Sequence, residues 1–162
     1  MRQAASPPRL THVDEAGQAR MVDVSGKEIT ARTARATGRV LLSEEAIAAL
    51  RAGAVPKGDA LAVARIAGIQ ASKRTPDLIP LCHPIALHGA SVELAVHDDG
   101  VFIEAITTTA DRTGVEMEAL TSVSVAALAL VDMVKAIDPA AVITDVRVES
   151  KEGGKTGTWR RS

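Results

Sequence analysis

The chain has 162 residues, 19 of them Lys or Arg and 20 Asp or Glu, for a formal net charge of −1. That length suits one domain burying roughly 70% of its unfolded surface, and the charge balance leaves no basic footprint for nucleic acid. Phe102 and Trp159 are the only aromatic residues, so stacking platforms for bases are missing; Cys82 is the only cysteine, which excludes an internal disulfide framework and suits a reducing compartment.

Residues 1–9 are polar, carry Pro7 and Pro8 side by side and lack the apolar core of a signal peptide. They read as a mobile tail ahead of a single α+β domain over 10–150. Arg20 to Ser25 and Ala34 to Leu42 alternate apolar and polar residues and predict strands or extended arms. Ser43, followed by Glu44 and Glu45, then Ile47 and Leu50, with Gly53 beyond, predicts a short capped helix. The loop Pro56–Asp59 leads to a second helix, with Leu61, Ile66 and Ile69 as core-facing candidates.

From Thr75 to Gly89 the chain reads T-P-D-L-I-P-L-C-H-P-I-A-L-H-G. Prolines at 76, 80 and 84 oppose regular helix or central strand, while the leucines and isoleucines ask for burial, so a held, irregular loop is expected. Ser91–Val96 and Val101–Thr107 alternate around H-D-D-G and predict a β-hairpin closed at Asp99-Gly100.

The longest helical pattern runs from Thr113 to Ile137. Thr113 and Glu116 have the spacing of a capping box. The run Val123–Val131 is almost wholly apolar, which implies burial on more than one side, although no run reaches the ~20 apolar residues of a bilayer span. Asp132 and Lys135 interrupt that run, three residues apart on one face. Glu118 and Asp132 are fourteen residues apart, hence about 40° apart around the axis but about 21 Å apart along it. They share a face yet cannot reach one reacting atom. Two copies packed antiparallel near Val125 would bring Glu118 of one copy towards Asp132 of the other.

A last alternating strand begins at Ala141, and Lys151–Ser162 reads as a Gly- and Lys-rich tail. Strand, helix, hairpin, helix, strand is the split βαβ, ferredoxin-like order, an antiparallel sheet with helices packed on one face.

Several residues invite chemistry, and each has a plainer reading. Cys82-His83 lacks the further Cys or His spacing of a metal site, and no metal or cofactor is expected. His83 is framed by prolines, which makes a functional role as credible as a loop role. Lys57 flanks Gly58 before a helix start, where an anion could sit. K-E-G-G-K-T-G lacks the first glycine of a phosphate loop and reads as a basic tail able to close over an anion. Taken alone, these residues support an acid/base enzyme only weakly.

The segments D-L-I-P-L-C-H-P and T-G-V-E-M-E-A-L-T-S-V-S-V-A-A-L-A-L-V-D-M-V-K-A add a more specific signal. With V-D-V-S-G-K, K-G-D-A-L-A-V-A-R-I-A-G-I-Q-A-S-K-R-T and G-G-K-T-G, they strongly resemble the cyclic pyranopterin monophosphate synthase family, the MoaC proteins of molybdenum cofactor biosynthesis. The resemblance covers nearly everything from Leu10 to Gly157. It implies a lyase, in a chain whose lone cysteine and missing signal-peptide pattern already predict the cytoplasm, and a nucleotide substrate that is a cyclised dihydro-GTP supplied by a radical enzyme. The product is a pyranopterin with a cyclic phosphate, and pyrophosphate is released. The resemblance further implies Asp132, Lys135 and Lys57 as catalytic residues. Leu81, Cys82, His83, Met117 and Glu118 would line the substrate pocket, with Glu116, Arg32 and Lys151 as further contributors. A hexamer, a trimer of dimers with sites between subunits, is implied too. Pro76, Val134 and Arg112 depart from the usual Trp, Cys and Lys of the family, outside the proposed acid/base set. Pyrophosphate release separates a binding scaffold without turnover from the lyase, and a purely structural oligomer would show no rise in melting temperature with GTP or substrate.

Overall fold

Alternating side chains along four long strands build one sheet in the computed structural model, which describes residues 11–162; the tail expected over residues 1–9 lies outside them. The elements are β1 (Thr30–Leu41), α1 (Glu44–Ala52), α2 (Ala60–Ser72), α3 (Thr75–Leu78), β2 (Gly89–His97), β3 (Gly100–Asp111), α4 (Glu116–Val134), β4 (Val142–Glu152) and β5 (Trp159–Arg160). The strand order is β2-β3-β1-β4-β5, and every paired neighbour is antiparallel. This is the α+β, split βαβ arrangement expected, with β5 added at one edge.

One face of the sheet is apolar and small. Ala34, Ala36 and Val40 of β1 join Val101, Ile103 and Ala105 of β3 in a single buried cluster with Ala119, Val123, Ala127 and Leu130 of α4. The other face is polar: Arg35 pairs with Glu104, and Thr37 donates to Glu149 at 2.8 Å. The alternation of β1 thus separates core from solvent, as the two-residue period of a strand requires.

α4 is long and apolar enough to cross a membrane by length and composition, contrary to the reading that no run approaches that. Here those apolar residues face the sheet on one side and α2 on the other. α2 differs from expectation on its buried face. Its stripe is Ala60, Ala64, Gly68 and Ala71, whereas Ile66 is 65% exposed. The reason is close approach: a Cβ on Gly68 would stand 2.9 Å from the Ser122 carbonyl oxygen and 3.1 Å from Ala126 Cβ. Ser122 Oγ donates to the Gly68 carbonyl at 3.0 Å. Small residues let the two backbones meet, so Val63 and Ile66 turn outwards, while Leu61 and Ile69, also expected to face the core, pack against it partly buried.

α1 forms as its caps dictate, with Ser43 accepting from the Ala46 amide and Gly53 ending the helix at φ 63°. α4 does not start on the Thr113 capping box. Its N-cap is Val115, with no side-chain cap, and Glu116 is drawn instead to Lys151, at 3.0 Å. The proline-rich segment contains one helical turn, α3, with Pro76 in its first positions, where a missing amide costs nothing. Arg20–Ser25 is an extended arm rather than a strand; its neighbourhood holds one isolated bridge, Val13 to Ala19. The C-terminal segment is more ordered than a mobile tail. Lys151 and Glu152 end β4, and Trp159 and Arg160 pair with Lys151 and Ser150.

Candidate active site

The functional candidates gather in two places, at opposite ends of α4. At its N-terminal end, the loop after α3 and the first turn of α4 enclose a cavity of about 640 Å³ lined by Leu81, Cys82, His83, Glu116, Met117 and Glu118. The volume suits a nucleotide-sized ligand. The loop is fixed through its backbone, as its irregular sequence requires. Cys82 N donates to the Ile79 carbonyl at 3.1 Å, and His88 N to that of Thr108 at 2.9 Å. Thr109 Oγ1 donates to the Ala86 carbonyl at 2.6 Å. His83 Nε2 lies 2.5 Å from the Val22 carbonyl of the N-terminal arm. Because a carbonyl only accepts, Nε2 carries the proton and Nδ1 is the nitrogen left for chemistry.

Glu118 is only 3% exposed, and its Oε2 has no hydrogen-bond partner among the described residues. Burial, with some repulsion from Glu116, pushes its carboxyl up from the usual 4.5 to about 7. A buried carboxyl with a free oxygen facing a cavity is unusual, and it titrates where proton transfer is most useful. The Cys82 thiol is raised by burial and by the charges of Glu118 and Glu116. It therefore stays protonated at neutral pH and is a wall of the cavity rather than a nucleophile.

At the C-terminal end of α4 the sequence-derived trio is assembled. Lys57, from the turn before α2, donates to Asp132 Oδ2 and to the Asp132 carbonyl, each at 2.9 Å. Lys135 reaches Asp132 Oδ1 at 2.7 Å. The bond from Lys135, then that from Lys57, holds the Asp132 carboxyl down at about 2. So Asp132 is anionic throughout the physiological range, and its carbonyl and carboxylate act as the cradle for two ammonium groups. The Lys57 contact also gives a carboxylate near a helix C-terminus the partner that the α4 pattern alone did not supply.

The structure brings Leu81, Cys82, His83, Glu116, Met117 and Glu118 together, and separately Lys57, Asp132 and Lys135. It does not unite the two sets within one chain. Arg32 stands apart from both, donating from Nε to the Asp111 carbonyl at 3.0 Å and from Nη2 to that of Arg112 at 3.2 Å. Sequence reasoning missed Lys27, Val22 and Val24 of the arm, which line the cavity. V-D-V-S-G-K was part of the family resemblance, but no spacing rule attached a role to it. Thr113, read as a cap, lines the cavity too. Among the described residues no group of three or more His, Cys, Asp or Glu is placed to hold a metal ion.

The sequence model of the MoaC family matches residues 21–154. The chain is 69% identical to the cyclic pyranopterin monophosphate synthase of Streptomyces avermitilis over 154 residues, 95% of this chain and 91% of that protein. It is 67% identical to the protein of that name in Nocardioides sp., over 96% of this chain and 98% of that one. To cyclic pyranopterin monophosphate synthase 2 of Mycobacterium tuberculosis it is 57% identical, over 94% and 91%.

Proposed function

From the finding that this chain belongs to the MoaC family, we infer that it is a lyase of molybdenum cofactor biosynthesis that forms cyclic pyranopterin monophosphate. The substrate in this reading is a cyclised dihydro-GTP, supplied by a radical enzyme, and pyrophosphate is the second product. The observation that carries the reading to this chain's own residues is the pairing of two unlike centres on α4. One is a buried carboxyl, Glu118, titrating near neutrality in a nucleotide-sized cavity; the other is a pair of lysines held on one aspartate.

The chemistry divides between them. Rebuilding a purine-derived ring moves protons on and off nitrogen, work that the Glu118 carboxyl, titrating near 7, and the free Nδ1 of His83 suit in type. Forming the cyclic phosphate requires a sugar hydroxyl oxygen to bond to the α-phosphorus while the bond from that phosphorus to its bridging oxygen breaks. The hydroxyl proton must leave, and negative charge grows on the departing pyrophosphate. Lys57 and Lys135, held by Asp132, supply positive charge for that step.

The two centres lie about 21 Å apart along one helix, so a single chain cannot apply both to one substrate. A second copy resolves this. Ile66 and Val63 of α2 and Leu128 of α4 are 65%, 43% and 58% exposed, giving the outer surface of the helical layer apolar side chains that an antiparallel copy would cover. A dimer of this kind, repeated as a trimer of dimers, would place Glu118 of one copy opposite Asp132 of the other. The compartment is the cytoplasm, and neither membrane nor nucleic acid takes part.

Pyrophosphate release from enzymatically prepared cyclised dihydro-GTP tests the reaction. Release by the wild type and not by Lys135→Ala at matched folding supports it. No release by either overturns it in favour of a binding scaffold.

A further inference from the structure

The buried face of β3 changes character along its length. Val101, Ile103 and Ala105 are apolar, and the next two positions of the same face are Thr107 and Thr109, 0% and 4% exposed. Valine has nearly the shape of threonine and needs no partner, so a buried hydroxyl at either position asks for a reason. Each hydroxyl donates to one backbone carbonyl. Thr107 Oγ1 donates to that of Val115 at 3.0 Å, and Thr109 Oγ1 to that of Ala86 at 2.6 Å.

The two acceptors belong to the two walls of the Glu118 cavity. Val115 is the N-cap of α4, at φ −115° and ψ 20°, and no side chain caps the helix. Its carbonyl also accepts the Ala119 amide at 3.1 Å, so the Thr107 bond fixes the turn that carries Glu116, Met117 and Glu118. Ala86 follows Cys82, His83 and Pro84 in the irregular loop, which has no regular ladder to hold it. Two further ties join that loop to β3: the His88 amide donates to the Thr108 carbonyl at 2.9 Å, and the Ala110 amide to His88 Nδ1 at 3.3 Å. β3 itself is flanked by β2 and β1, with Thr107 paired between Ala90 and Ala34. Positions two apart on a strand are separated by about 7 Å, so one rigid element carries both posts.

We propose that Thr107 and Thr109 are positioning residues for the reaction of this cavity: the Thr107 hydroxyl places the Glu118 wall, the Thr109 hydroxyl places the Cys82–His83 wall, and β3 fixes the distance between them. Neither threonine lines the cavity; each acts through the wall it holds. A displacement of about 1 Å at a reacting group costs on the order of a hundredfold in rate. Without its post, the first turn of α4 drifts and admits water beside Glu118. What the cavity transforms rests on the function proposed above; the placement of its walls does not.

The test compares Thr107→Val, Thr109→Val, Thr107→Ser and Thr109→Ser in the intact oligomer. Valine keeps the shape and deletes the bond; serine keeps the bond and deletes a methyl. In pyrophosphate release at matched folding, both valine variants should lose about tenfold or more in kcat, and both serine variants should stay within about threefold of wild type. Thr37→Val deletes the bond of an equally buried threonine to Glu149 on the opposite face of the sheet. It controls for a merely structural loss and should leave kcat unchanged. A second readout needs no turnover. Carboxyl NMR of Glu118, identified by the signal missing in Glu118→Gln, should show its titration falling from about 7 towards 4.5 in Thr107→Val and holding in Thr107→Ser. The titratable groups lining the cavity with Glu118, namely Glu116, Cys82, His83, His12 and Lys27, are the same in each variant. Wild-type kcat in either valine variant, serine variants as slow as the valine ones, an equal loss in Thr37→Val, or a Glu118 titration unmoved by Thr107→Val overturns the proposal. If the wild type releases no pyrophosphate, the proposed reaction fails and the NMR titration alone decides the positioning.

Discussion

Glu118 and Asp132 lie on the same helix in opposite electrostatic settings: Glu118 is buried and raised to about 7, Asp132 is exposed, clamped by two lysines and lowered to about 2. One carboxyl is poised to exchange a proton at neutral pH and the other is fixed as an anion. Environments that push two carboxyl groups apart in this way divide the labour of a site.

Asp132→Asn removes the charge that gathers Lys57 and Lys135 at a single point. Turnover is expected to fall by about a hundredfold or more. Because the side chain is 55% exposed, the melting temperature should barely move. Steady-state kinetics beside thermal melting checks both halves, and retained turnover would remove Asp132 from the site.

Glu118 makes the fold pH-dependent in a stated direction. Its carboxyl is raised in the folded state from 4.5 to about 7, so the folded protein holds more protons than the unfolded chain within that window. Its stabilising contribution is fully present below about pH 4.5 and is lost as pH rises through about 7. The loss is on the order of 2–3 kcal/mol. Glu118→Gln should flatten this part of the stability profile and raise stability above pH 7. Denaturant melts from pH 4 to 8 read it directly, and a variant profile parallel to the wild type would contradict the assignment.

Cys82 is a wall residue with a protonated thiol. Cys82→Ser should keep turnover within about tenfold of the wild type, since no covalent intermediate passes through it. Complete loss, with the fold intact, would mean that the thiol is reactive after all.

Gly68 sets the distance between α2 and α4. With backbone 2.9 Å from its missing Cβ, Gly68→Val has no flexible neighbour to displace and should destabilise by about 1–3 kcal/mol. Chemical denaturation measures it; an unchanged midpoint would mean that the helices separate freely.

The fold was legible where local chemistry decides it. Ser43 and Gly53 bound α1, Asp99-Gly100 closes the hairpin, and the period-two patterns mark the strands. It was less legible where tertiary contact overrides local preference. Ile66 looked like a core residue by periodicity, but the small stripe ending in Gly68 and Ala71 won because close helix packing buries more than one isoleucine. Thr113-Glu116 has the spacing of a cap, yet Lys151 offers Glu116 an ion pair from a strand thirty-five positions on, which no local rule sees. The same holds for the site. Lys57 and Asp132 took their catalytic role from the resemblance, while their direct bond depends on the turn before α2 meeting the last turn of α4. Lys27 carried no spacing signal, because an arm crossing a cavity has none.

In the shared-site arrangement proposed above, each site draws Glu118 from one copy and the Asp132 cluster from another. The most direct measurement mixes two inactive variants, Glu118→Gln and Asp132→Asn, in equal amounts under conditions that allow subunits to reassort, and follows pyrophosphate release. Half of the resulting dimers are mixed, and each mixed dimer holds one site with both wild-type residues, so about a quarter of wild-type activity should return. A mixture that stays as inactive as its parents, after exchange has been demonstrated, would contradict the shared site and place both residues' roles within one chain.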